Sequence, residues 1–287
     1  MRSFATIVAL AAFCMLAPAK SKAEPWFSPI VADDAAFAAQ RVVVFGDEKR
    51  QTLDSYAKRN RIDARDLRRR HSGSGLIRCG NARGAGQLTL VDDVITTAAH
   101  VFFDIAGASR AAMGPCEFII ELDGEQIITR IDPKSIVTGS WRPYQAAPAN
   151  DWAVARLERP LPQARPYGLG AAVSGDPVRF VARGHVDWGD GRKTSIEDCR
   201  LRESLDDGIE GTREFAFDCA AGIGASGGAL LNAAGADLLA IFVGYHSYAP
   251  DARAAFSADN YNFAVSVEGA FRLAVLDAAG LRTAAAR

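Results

Sequence analysis

From Ser72 to Val267 the chain is a succession of short apolar runs closed by turn residues, and this texture limits the fold more than any other feature. Residues 75–77, 87–91, 94–97, 117–122, 125–131 and 152–157 read as strands. Asp123-Gly124 between two apolar runs is a hairpin signal, because both residues tolerate the positive φ that a two-residue turn needs. Residues 178–182, 195–202, 214–219, 228–231, 238–243 and 262–267 repeat the texture, with Asn232-Ala233-Ala234-Gly235 as a turn. No long helical period interrupts the first half, which argues against a βαβ sheet and for an antiparallel sandwich or barrel. Pro160, Pro162 and Pro166 stiffen the stretch between the halves. One clear amphipathic helix follows: Val267, Phe271, Val275 and Leu276 share a stripe over 267–278, and Gly280 ends it.

The 287 residues suffice for one large domain or two small ones with a real core. A formal charge of -1 argues against a nucleic-acid partner, whose binders carry a basic excess. Residues 1–23 read as an export signal: Arg2, an apolar run from Phe4 to Leu16 too short to span a bilayer, then small residues up to Ala19 and Ala23. Secretion or a periplasmic location is expected, with no membrane span once the signal is removed. Four cysteines then remain, Cys79, Cys116, Cys199 and Cys219, and an even number in an exported chain suggests two disulfides. Of three possible pairings, Cys79–Cys116 and Cys199–Cys219 keep each bridge within one half. No closely spaced His/Cys cluster appears, so neither a structural metal nor a cofactor is expected. Residues 24–71 form an N-terminal arm or pro-segment. Val42-Val43-Val44-Phe45 is a short strand candidate, and 51–70 is a charged surface helix or a partly ordered arm whose few apolar residues are Leu53, Tyr56, Ile62 and Leu67. The first β-unit spans 72–160 and the second, with the helix, 161–287.

Chemistry concentrates at three places. Gly222-Ile223-Gly224-Ala225-Ser226-Gly227-Gly228 surrounds a serine with residues that allow unusual dihedrals and close substrate approach. The N–H groups of Gly224 and Ser226 can point at one spot before the hydroxyl and stabilise an oxyanion. His100 ends the strand Thr97-Ala98-Ala99 and is suited to take a proton near neutral pH. Asp151 heads the apolar strand Trp152–Leu157, where a buried carboxylate can fix the tautomer of a histidine.

In the order His100, Asp151, Ser226, these blocks resemble the signature of the chymotrypsin-like serine peptidases. Gly73-Ser74-Gly75-Leu76-Ile77 is similar to the first strong strand of their bacterial, glutamyl-endopeptidase-like branch. The resemblance covers roughly Ser72 to Ala279. It implies two six-stranded antiparallel β-barrels with a C-terminal α-helix, an active site in the cleft between them, and a monomer that hydrolyses peptide or protein substrates through an acyl-enzyme. Family members often carry an aspartate just before the serine, which pairs with a newly cut N-terminus. Ala225 stands there, so that activation route is not expected.

The pocket for the residue before the cut bond falls to Ala220, Ile223, Phe242, Val243 and Gly244. Basic-substrate peptidases place an aspartate where Ala220 stands, and the glutamate-cleaving branch a histidine where Phe242 stands. A pocket narrowed by Phe242 is expected to take a small or apolar side chain. His246 reads as a surface or packing residue, and His71 and His185 as structural. Two alternatives remain: a peptidase-like binding protein that no longer cuts, and a serine esterase of the α/β-hydrolase class. The latter needs its acid and histidine after the serine, where some sixty residues leave too little chain for its sheet.

Overall fold

The apolar runs of the first half are largely buried and become six antiparallel strands: β1 (Ser74–Cys79), β2 (Ala82–Leu88), β3 (Val94–Thr97), β4 (Cys116–Leu122), β5 (Glu125–Thr138) and β6 (Ala153–Leu157). They close a barrel in the order β1-β2-β3-β6-β5-β4. The β4–β5 hairpin turns at Asp123 and Gly124, with φ of 50° and 87°, as their residue types predict. The second half gives β7 (Pro177–Arg183), β8 (Thr194–Asp207), β9 (Arg213–Phe217), β10 (Ala229–Asn232), β11 (Asp237–Ser247) and β12 (Asn260–Ser266). These form a second ring, β11-β10-β7-β8-β9-β12, closed by pairing of β11 with β12. The computed structural model thus has the expected two-barrel, chymotrypsin-like fold. It describes residues 26–28, 42–185, 187–188, 193–208, 210–248 and 253–282. The expected signal peptide lies outside the described residues.

Three apolar clusters hold this arrangement. Ile77, Leu88, Ile95, Phe118 and Ile120 fill the first barrel. Phe180, Phe215, Phe217, Leu230 and Phe242 fill the second. A third cluster joins the two, running from Val94, Trp152 and Tyr167 to Val181, Ile241 and Phe271. Helix α3 (Gly269–Ala278, numbered after the two N-terminal helices below) buries Phe271 and Val275 in it. The Phe271 ring stacks on Trp152 at 4.8 Å and 11°. The C-terminal helix therefore clamps the strand start that carries Asp151. Both disulfides form with the expected pairing, Cys79–Cys116 and Cys199–Cys219.

The N-terminal segment is built into the second barrel. Its charged stretch forms α1 (Leu53–Asn60) and α2 (Ala64–Arg70). Thr52 and Asp63 cap them, their side-chain oxygens accepting from Ser55 N–H (3.2 Å) and Asp66 N–H (2.9 Å). Tyr56, Ala57 and Leu67 face inward and join the third cluster, so the charges of both helices lie on their outer faces. Upstream, Val42–Val43 pairs antiparallel with Ala221–Gly222, and Trp26–Ser28 with Tyr245–Ser247. Arg50 is buried, and its guanidinium bridges Glu48 (2.7 Å) and Asp187 (2.6 Å).

Candidate active site

His100 lies in a short 3-10 turn, Ala99–Val101, that directly follows β3. Ala98 and Ala99 are wholly buried there, as a close approach of backbones requires. Asp151 ends the turn Pro148–Asn150 and leads into β6. Because β3 and β6 pair, with Thr97 opposite Ala153, the two residues arrive side by side. One Asp151 oxygen accepts from the His100 main-chain N–H at 2.9 Å, the other from ring Nδ1 at 2.6 Å. A carboxylate only accepts, so Nδ1 carries the proton and Nε2 presents a lone pair. Both side chains are about 2% exposed or less, and Tyr144 stands edge-on to the imidazole at 6.0 Å. Nε2 is buried and has no hydrogen-bond partner among the described residues.

Ser226 is delivered by a loop stitched to both barrels. Its carbonyl accepts from Ala85 N–H of β2 at 2.7 Å, while Gly227 N–H donates to Phe242 of β11 at 2.7 Å. Ala225 N–H donates to Gly222 and Gly228 N–H to Ala225, which tightens the turn. Gly227 has φ +85°, and a Cβ on it would lie 2.2 Å from Thr97 Oγ1 and 2.3 Å from the Ala85 carbonyl. Glycine is therefore required next to the serine for two reasons at once, conformation and space. The link to the histidine runs through Gly84, which faces both the Ser226 carbonyl and the side chain of Val101, the residue after His100. Ser226 itself is 3% exposed and makes no hydrogen bond to the His100 ring. The N–H groups of Ala225 and Gly227 are used within the protein. Those of Gly224 and Ser226 meet no acceptor among the described residues, the alternation an oxyanion site needs.

The expected pocket residues are all buried. Ala220 and Ile223 lie on the stretch before the serine, braced by Val42–Val43. The Phe242 ring turns into the second barrel, 5.8 Å from both Phe180 and Phe217, while Val243 belongs to the cluster between the barrels. His71 Nδ1 bonds the Tyr167 hydroxyl at 3.0 Å, and burial pushes it down to about 3. His185 is fully buried beside Arg50 and is lowered chiefly by that burial. His246 stacks flat on Tyr261 at 4.9 Å. Two buried polar residues near the expected pocket belong to no sequence motif. Glu197 of β8 accepts from Ala220 N–H at 3.0 Å, and burial pushes its carboxyl up to about 8. Asn262 of β12 donates from its amide to the Cys219 carbonyl at 2.7 Å. Asn262 precedes the apolar run Phe263–Val265, and Glu197 stands among polar residues with no sequence signal.

Comparison with known proteins bears on the fold and the family. The trypsin-like peptidase domain matches residues 73–241, more than half of the chain, and the chain belongs to that family. Among solved structures, a Glu endopeptidase in complex with MPD superposes with a TM-score of 0.61 at 14% identity, covering 83% of this chain and 100% of its own. The MamO protease domain from Magnetospirillum magneticum, in its apo form, gives a TM-score of 0.48 at 13% identity, covering 75% of this chain and 98% of its own. No curated protein matches the chain.

Proposed function

We propose that the chain is an exported, monomeric serine endopeptidase whose triad is His100, Asp151 and Ser226. The observation that carries this reading is the double hold of Asp151 on His100, through main-chain N–H and Nδ1, which leaves Nε2 as a free base. In the reaction Ser226 Oγ attacks the peptide carbonyl and its proton moves to Nε2. The oxyanion is held by the Gly224 and Ser226 N–H groups. The C–N bond then breaks, Nε2 protonates the leaving amine, and water attacks the acyl-enzyme by the same route. Two disulfides support an oxidising compartment. No described helix is long and apolar enough to cross a membrane.

Ser226→Ala is expected to leave folding intact and lower peptide hydrolysis by about 10⁴-fold or more. Near-wild-type turnover in that variant would remove the assignment. A second reading, a peptide-binding protein that does not cut, draws on the missing Ser226–His100 hydrogen bond. Labelling of Ser226 by a fluorophosphonate separates the two: the peptidase labels and the binder does not.

A further inference from the structure

Asn262 is wholly buried at the start of β12. Its strand register sets it opposite Tyr245 of β11, and its amide nitrogen holds the carbonyl of Cys219. Tyr245 follows Gly244, and Cys219 precedes Ala220. Asn262 thus links the two stretches that wall the expected substrate pocket, one by strand pairing and the other by its amide. The Cys219 bond also sets the orientation of the amide, because only its nitrogen can face a carbonyl. Oδ1 is then turned away, buried, and without a donor among the described residues. A buried acceptor left unpaired is costly, and a ligand donor is one group that can complete it. The wall positions Ala220, Ala221 and Gly222 carry little or no side chain, while the Phe263 ring fills the space beside Gly244.

The same peptide unit is held from its other side by an acid. Ala220 N–H donates to Glu197 Oε2, and Glu197 has no ion-pair partner among the described residues. Glu197 Oε2 thus serves as an acceptor towards this main chain.

We propose that Asn262 is a specificity-determining residue: its Oδ1 accepts a hydrogen bond from an N–H donor on the side chain before the cut bond. The substrate class is a peptide with glutamine or a basic residue there. A glutamate carboxylate, all acceptor, would meet Oδ1 lone pair to lone pair. A thioether of similar length would leave Oδ1 unpaired. This revises the expectation of a small or apolar side chain, and it rests on the peptidase reading above.

The test uses four peptides that differ only at that residue, carrying glutamine, lysine, methionine or glutamate. On the full chain, kcat/KM for glutamine and lysine is expected to exceed that for methionine and glutamate by at least about 10-fold. Asn262→Ala should bring the glutamine-to-methionine ratio close to one. The wild-type ratio stands by itself if that variant fails to fold. Equal rates for glutamine and methionine, or a preference for glutamate, overturn the proposal. A binding arm separates it from the reading on which it rests. The Ser226→Ala protein, titrated calorimetrically with the same peptides, is expected to rank them in the same order. If the wild type neither cuts nor labels while Ser226→Ala still ranks glutamine over methionine, the pocket stands and the peptidase reading falls. If labelling succeeds and both rankings are flat, the pocket alone falls.

Discussion

Asp151→Asn is the most discriminating change at the candidate site, because the partners of both carboxylate oxygens are known. Oδ1 accepts from the His100 main-chain N–H, a donor that has no other protonation state. The asparagine carbonyl must therefore take that place. Its NH₂ then faces Nδ1, which already donates to Oδ2 at 2.6 Å. Two donors cannot face each other, so the imidazole adopts the tautomer with its proton on Nε2. That nitrogen can no longer accept the Ser226 proton. The expected loss is about 10⁴-fold in kcat, or roughly 5 kcal/mol of transition-state stabilisation. Stability should change by only about 1–2 kcal/mol, because both hydrogen bonds are replaced. Asp151→Ala differs on this second axis: it strands two buried donors, each costing about 1–3 kcal/mol. Activity assays on a quenched fluorescent peptide, with urea unfolding of the same samples, give both readouts. Matched activity losses with the alanine variant clearly the more destabilised are the expected pattern. An Asp151→Asn protein that folds and works within tenfold of wild type would break the argument, since His100 would not depend on Asp151 for its tautomer.

Two further predictions follow from the packing around the site. Leu67→Ala removes a wholly buried side chain from the cluster between the barrels and should cost about 2–5 kcal/mol in unfolding experiments, whereas a loss under about 0.5 kcal/mol would mean α2 is not docked. Glu197 has a folded pKa of about 8, raised from 4.5 by burial, so its stabilising contribution is complete below pH 4.5 and is lost as pH rises towards 8. Glu197→Gln keeps an acceptor for Ala220 N–H and should flatten the fall in melting temperature between pH 5 and 8, an effect on the order of a few kcal/mol. The variant-minus-wild-type difference cancels the buried His71, His185 and Glu214, and a difference independent of pH would refute the assignment.

The barrel strands were legible as short apolar runs closed by turn residues; 178–182 is buried at every position, so it shows as a continuous run and not as an alternation. The three signature blocks were legible because each needs residues that little else explains, such as Gly227 against Thr97 or the alanines before His100. Residues 51–70 were harder. In a helix a single inward stripe suffices, and here Tyr56, Ala57 and Leu67 supply it among many charges, so composition alone suggests a solvated run. Asn262 was invisible for a different reason. Its meaning depends on the register between β11 and β12 and on a carbonyl 43 residues away. Period-two reading reports which face a residue occupies, not what stands opposite.

The same long-range pairing explains how the serine loop is held without an aspartate at 225. In related peptidases an ion pair with a new N-terminus fixes that loop. Here the work is spread over neutral contacts and one side-chain carboxyl. Ala221–Gly222 gains a strand partner in Val42–Val43, Ala220 N–H is taken by Glu197, and Gly227 N–H by Phe242. Each such bond contributes only about 0.5–1.5 kcal/mol. Together they consume several of the loop's main-chain donors, while the Gly224 and Ser226 N–H groups meet no acceptor among the described residues. Preorganised donors need no rearrangement when the oxyanion forms, and that is where they gain their value in catalysis. The N-terminal segment therefore belongs to the active-site architecture as much as the barrels do: it supplies the strand that stiffens the pocket wall, and Arg50 anchors that strand's continuation to Asp187.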